Sequence, residues 1–111
     1  PNQFQEIEVP VEGFGEVAGM VYFKEGNSLR GQGRITVNIL DENENLVKEI
    51  LTEGDGYFTY LGLKPGNYTA EIDPVQMQKL GYTASDSIEF EIKVDQYGDI
   101  VDTLEFTIEA D

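Results

Sequence analysis

Apolar and polar residues alternate with a period of two along most of this chain. Val17, Gly19, Val21 and Phe23 fall on one side of a run whose other side carries Ala18, Met20 and Tyr22. Ile35, Val37 and Ile39 alternate with Thr36 and Asn38, and Leu104, Phe106 and Ile108 with Glu105, Thr107 and Glu109. The clearest case sets Ile88, Phe90, Ile92 and Val94 against Glu89, Glu91 and Lys93. This is the period of antiparallel strands with one face on a core and the other in water. Acidic residues on the wet faces also discourage edge-to-edge pairing. The runs predict strands near 5–10, 15–23, 34–40, 46–52, 57–62, 67–73, 86–94 and 100–109. The first is expected to be a short edge strand, because Pro10 has no N–H to give to a ladder.

Turn-forming clusters separate the runs: Lys24–Gly33, Asp41–Asn45, Glu53–Gly56, Lys64–Asn67 and Asp95–Asp99. Glu53-Gly54-Asp55-Gly56 reads as a hairpin loop whose glycines supply positive φ. Lys64-Pro65-Gly66-Asn67 has Pro and Gly at the central positions of a type II turn. With Leu63 and Tyr68 it also has the spacing of a tyrosine corner, in which the phenol bonds back to upstream backbone. A phosphate cradle would need a following helix and basic residues; here a strand follows. One segment, DPVQMQKLGY, leaves the strand pattern. Asp73 fits the N-cap, Pro74 the first turn, Gln76 a capping-box position and Gly81 the C-terminal stop. A two-turn helix follows, with Val75, Met77 and Leu80 as candidates to cover an end of the core.

Strands at short, regular spacing joined by Gly, Asn and Asp turns predict a β-sandwich of about seven strands. The length of 111 residues suits one such domain, with a core large enough to need no staple. Seven basic against 22 acidic residues leave a formal charge of −15, which repels nucleic acid and anionic membrane surfaces. The sequence has neither histidine nor cysteine. Histidine-based triads and zinc sites, thiol nucleophiles and disulfides are therefore excluded. Catalysis by paired carboxylates would need a cleft that shifts their pKa values, and evenly spread surface acids give no reason to expect one. No apolar run is long enough to span a membrane as a helix. The chain opens on PNQFQ rather than Met, and its polar ends read as linkers within a longer polypeptide.

Several motifs occur in a telling order: Gly19-Met20-Val21, then Leu29 to Val37 (LRGQGRITV), an Asp/Asn turn, Thr52 with Asp55-Gly56-Tyr57-Phe58, and Leu63 to Tyr68 (LKPGNY). In this the chain resembles the prealbumin-like (transthyretin-like) sandwich group, which includes carboxypeptidase regulatory-like, Cna B-type and SdrD B-like domains of bacterial surface proteins. The resemblance covers about Gly15 to Asp73, and the C-terminal strands only by pattern. The helix followed by two long strands looks most like copies in large exported proteins of Bacteroidetes-type bacteria. Family members are mostly accessory modules, so the resemblance implies a fold more than an activity. Cna B-type domains often join a Lys near the first strand to an Asn in the last; Lys24 suits the first role, but no Asn follows Asn67. SdrD B-like domains bind calcium through Asp- and Asn-rich loops. Here Asp41, Asn43 and Asn45, and separately Asp95, Asp99 and Asp102, offer the oxygen ligands a hard cation takes. Asn45 stands where the family usually has Gly, and as a plain turn it would take left-handed φ. Tyr57, Tyr60, Tyr82 and Tyr97 are the candidates for a sugar platform, against a packing role.

The expectation is an all-β, antiparallel prealbumin-like β-sandwich with one short helix near 74–80. Residues 1–14 would form a linker and short edge strand, and 15–111 the sandwich. Its expected role is a non-catalytic structural or interaction module of a larger secreted, periplasmic or cell-surface protein. Its partners would be neighbouring domains, with an extracellular protein or glycan as a further candidate, and no cofactor is required. The alternative role is a ligand-binding module, for calcium at the acidic loops or for a glycan or protein at the loop ends.

Overall fold

The computed structural model describes residues 13–111, so the strand expected near 5–10 lies outside the described residues. The elements run β1 (Gly15–Glu25), β2 (Ser28–Gly31), β3 (Thr36–Asp41), β4 (Leu46–Leu51), β5 (Tyr57–Leu63), β6 (Gly66–Ile72), α1 (Pro74–Leu80), β7 (Tyr82–Ala84), β8 (Ile88–Ile92) and β9 (Ile100–Ala110). They form a β-sandwich. One sheet has the order β2-β1-β9-β7, with β5 beside the first half of β1; the other has the order β4-β3-β6-β8. Two short strands escape the sequence pattern, β2 inside the 24–33 turn cluster and β7 directly after the helix. Neither has a long enough alternation to register as a strand.

The inward face of each run is the apolar one. Val17, Val21 and Phe23 of β1 meet Val37 and Ile39 of β3, Ala70 and Ile72 of β6, and Phe106 and Ile108 of β9 in one buried cluster. Burial of such a side chain contributes about 1.5–3 kcal/mol. The first and last strands are neighbours and run parallel, from Glu16 opposite Ile100 to Phe23 opposite Ile108. This departs from the antiparallel expectation, since a long path through both sheets returns the chain to β1's free edge. Inward pairs along it are apolar, Val21 with Phe106 and Phe23 with Ile108. Lys24 is exposed to solvent.

The 53–56 loop is not a hairpin, because β4 and β5 belong to different sheets. Its glycines also differ from one another. Gly56 takes φ 89 while its amide donates to the Glu53 carbonyl, whereas Gly54 has ordinary φ and open space around it. A Cβ on Gly31 would lie 1.8 Å from the Asp55 carbonyl oxygen, so this loop packs backbone to backbone on β2. The 64–67 corner likewise passes between sheets. Gly66 has φ 155 rather than the roughly +80° of a type II turn, and the Lys64 carbonyl accepts the Tyr68 hydroxyl at 2.5 Å. The tyrosine corner is therefore present. In the β3–β4 turn Glu44, not Asn45, takes the left-handed conformation, at φ 65.

The helix spans Pro74–Leu80 as its signals predict. Asp73 caps Val75 N–H at 3.2 Å, and Gly81 closes the C-terminus at φ 71. Gln76 does not complete a capping box. Its side chain instead accepts from Thr36 N–H at 2.8 Å and donates to the Arg34 carbonyl at 2.9 Å, tying the helix to the start of β3. Met77 alone of the three apolar candidates is buried; Val75 and Leu80 are exposed.

Candidate functional site

The acidic loops expected as sites lie at two places in the sandwich. In the β3–β4 turn one oxygen of the Asp41 carboxylate accepts from Asn43 N–H and Asn45 N–H, both at 2.9 Å. Asp41 N–H donates to the Asn45 carbonyl, and Glu44 N–H to the Asp41 carbonyl. The aspartate thus organises its own turn, the local use that makes Asp common there. In the β8–β9 loop Asp95 accepts from Tyr97 N–H at 2.9 Å, while Asp99 accepts from Lys93 N–H at 2.8 Å and Ile100 N–H at 3.0 Å. The Asp95 carbonyl also takes Gly13 N–H, and the Asp99 carbonyl takes Glu16 N–H. This loop clamps the entry of β1. Asp102 lies farther on, exposed within β9. Among the described residues no three acidic side chains converge as a metal centre would require.

Folding does assemble one acidic concavity that the sequence order conceals. An open hollow of about 450 Å³ lies between the β3–β4 turn and the β6–β8 pair. Asp41, Glu42, Glu44, Glu89 and Glu91 line it, together with Tyr68 and Phe90, whose rings stack with centroids 5.6 Å apart. Glu89 and Glu91 are visible in the sequence only as the wet positions of a strand. Their approach to Asp41 depends on β6 lying between β3 and β8. Burial, and then the nearby Asp41 carboxylate, push the Tyr68 hydroxyl above the ordinary tyrosine pKa. Tyr68 is therefore a neutral hydrogen-bond donor in the corner.

The four tyrosines expected as a sugar platform lie on β5, β7 and the β8–β9 loop. Tyr82 packs edge-on against Phe23 with centroids 5.3 Å apart, and Tyr60 lies under the Lys48 ammonium at 5.3 Å. Tyr57 is half-buried on β5, and Tyr97 is 87% exposed at a loop tip.

No family model and no curated protein matches this chain. Solved structures do match at the level of fold. The minor pilin GBS52 of Streptococcus agalactiae superposes with a TM-score of 0.65 at 12% identity, over 91% of this chain and 46% of that one. The major pilin BcpA of Bacillus cereus gives 0.63 at 16% identity, over 86% of this chain and 28% of that one. A Pseudomonas aeruginosa protein, PA1324, provisionally described as carbohydrate binding, gives 0.55 at 11% identity, over 96% of this chain and 98% of that one. The chain spans less than half the length of the two pilins. The β-sandwich is thus shared with domains of bacterial surface pilins, in keeping with a prealbumin-like fold.

Proposed function

We propose that this chain is a non-catalytic spacer module of a larger exported bacterial polypeptide, built to carry tension along its length. One observation carries the reading: β1 and β9 are adjacent and parallel. The chain therefore enters at one pole and leaves at the other, roughly 35 Å away for strands of this length at about 3.3 Å per residue. Tension along the chain would shear the whole β1–β9 ladder at once, so its hydrogen bonds share the load instead of breaking one after another. The clamp of the β8–β9 loop on Gly13 and Glu16 reinforces the entry pole. Similarity to pilin domains supports a surface-protein setting and neighbouring domains as partners. The sequence resemblance to carboxypeptidase regulatory-like, Cna B-type and SdrD B-like modules agrees with both.

The reading is tested by pulling single molecules in two geometries. Attachment at the chain's N-terminus and Asp111 loads the ladder in shear; attachment at the N-terminus and the exposed Tyr97 opens it from a single pole. The first geometry should need clearly the larger force, and equal forces would sink the proposal.

A second reading is calcium binding by the acidic turns of Asp41, Asn43 and Asn45 or of Asp95, Asp99 and Asp102. Glu42, Glu44, Glu89 and Glu91 around the concavity support only the first, by the negative potential they add beside Asp41. A native-state ligand raises the melting temperature. An unchanged melting point between millimolar calcium and chelator would remove this reading.

A further inference from the structure

Among the described residues the last strand is paired on both sides for only part of its length. Along one side β9 has β1 beside it from Glu16–Ile100 to Phe23–Ile108. Along the other, β7 covers only Ile108 to Ala110, after which Ser85 adds a final bond. Ser85 N–H donates to the Thr107 carbonyl at 2.8 Å, and Thr107 N–H donates to the Ser85 hydroxyl at 3.0 Å. The backbone groups of Thr107 therefore point away from β1. The β1–β9 register is unbroken from Leu104 to Ile108. By the two-residue period of a strand, the N–H and C=O of Glu105 point the same way, to an edge on which no strand of the described residues lies.

Across this gap stands a second open edge, since among the described residues β8 pairs with β6 alone. The seam between them leaves the core thinly covered. Val101, Ile88 and Phe90 are packed against the core yet only half-buried, while Leu104 and Ile92 next to them are buried. Unpaired backbone on one side and partly wet apolar side chains beneath it are what an added strand would satisfy.

The geometry points to this seam as the docking site for an extended, alternately basic and apolar segment of a partner protein, added to β9 antiparallel and in line with β7. Its apolar side chains would turn inward to Val101, Ile88 and Phe90. Its basic side chains would lie on the outer face opposite Glu105, the favourable pairing of opposite charges across a ladder. Glu89 and Glu91 on β8 and Asp102 on β9, all exposed, extend the same charge along the seam. Charge also selects among occupants. A second copy carries −15, and the twelve residues before Gly13 hold Glu6, Glu8 and Glu12 but no Lys or Arg; each would bring like charge to the seam.

The test titrates the ¹⁵N-labelled chain with a capped nonapeptide of alternating Lys and Val. A control peptide of the same charge is N-methylated at alternate amides, so that it cannot pair as a strand. Hydrogen exchange at the Glu105 amide should be fast in the free protein and slow with the first peptide. The N-methylated peptide and the exposed-site variant Glu105→Lys should each lose affinity about tenfold or more. Equal binding of the N-methylated peptide would mean charge attraction alone and overturn the proposal. So would absence of binding, an unchanged Glu105 amide, or a Glu105 amide already protected in the free protein, whether by self-association or by the chain's own N-terminal residues.

Discussion

Gly54 and Gly56 sit two residues apart in one loop and look equivalent in the sequence. Only Gly56 holds a left-handed φ, and a Cβ there would meet the Val21 carbonyl oxygen at 2.4 Å. Gly56→Ala should therefore destabilise by about 1–3 kcal/mol, and Gly54→Ala should stay within about 0.5 kcal/mol. Urea unfolding of the two variants makes the comparison, and equal midpoints would contradict it. Tyr68 gives a second residue-scale case. Tyr68→Phe removes the hydroxyl that meets the Lys64 carbonyl and should cost about 0.5–1.5 kcal/mol. The raised pKa also sets a sign. Above the ordinary tyrosine value the unfolded chain releases its proton first, so the folded state holds more protons and stability falls as pH rises. Denaturation followed upward from about pH 9 should show this fall, less steeply in Tyr68→Phe. No shift in slope would mean that Tyr68 titrates alike in both states.

At the scale of elements, the helix was legible because its start and stop depend on neighbours in sequence. Asp73, Pro74 and Gly81 act within one or two turns of themselves. Gln76 shows the limit of that logic. A glutamine three residues after an N-cap usually serves the cap, yet here the start of β3 lies nearby with an N–H and a C=O to satisfy. Gln76→Ala removes both bonds, one partly buried and one exposed, and should cost about 0.5–1.5 kcal/mol. Gln76→Glu keeps an acceptor for Thr36 but loses the donor to Arg34, and should fall between. Thermal melts rank the three proteins, and a neutral Gln76→Ala would show that water replaces both bonds. Thr52 was similarly opaque. It is buried, its hydroxyl accepting from Ile35 N–H and donating to the Gln32 carbonyl, 17 and 20 residues away.

Over the whole molecule the dominant electrostatic fact is a charge of −15 on 111 residues. Self-repulsion of this size destabilises the compact state, and salt screens it over about 10 Å at 0.1 M. The melting temperature should rise between 10 mM and 500 mM NaCl, as read by calorimetry; a flat or falling dependence would mean that favourable ion pairs offset the repulsion. The candidate sites also belong to this scale. Asp41, Glu89 and Glu91 share one concavity only because β6 separates β3 from β8. Among the described residues the edge at Glu105 is open because β7 is short and the chain then leaves for the other sheet.

Periodicity, turn residues and caps in the sequence determined that this chain would be strands with wet acidic faces, a tyrosine corner and one short helix. These features rest on interactions between residues close along the chain, where composition and spacing carry the physics. Tertiary structure alone decided which strands are neighbours: that β1 meets β9 in parallel, that the 53–56 loop and the 64–67 corner cross between sheets, and that the described strands leave β9 half covered. Period-two alternation says which face of a strand is buried and is silent on its partner, because an apolar face packs against any other. The choice among partners is made by the whole core at once.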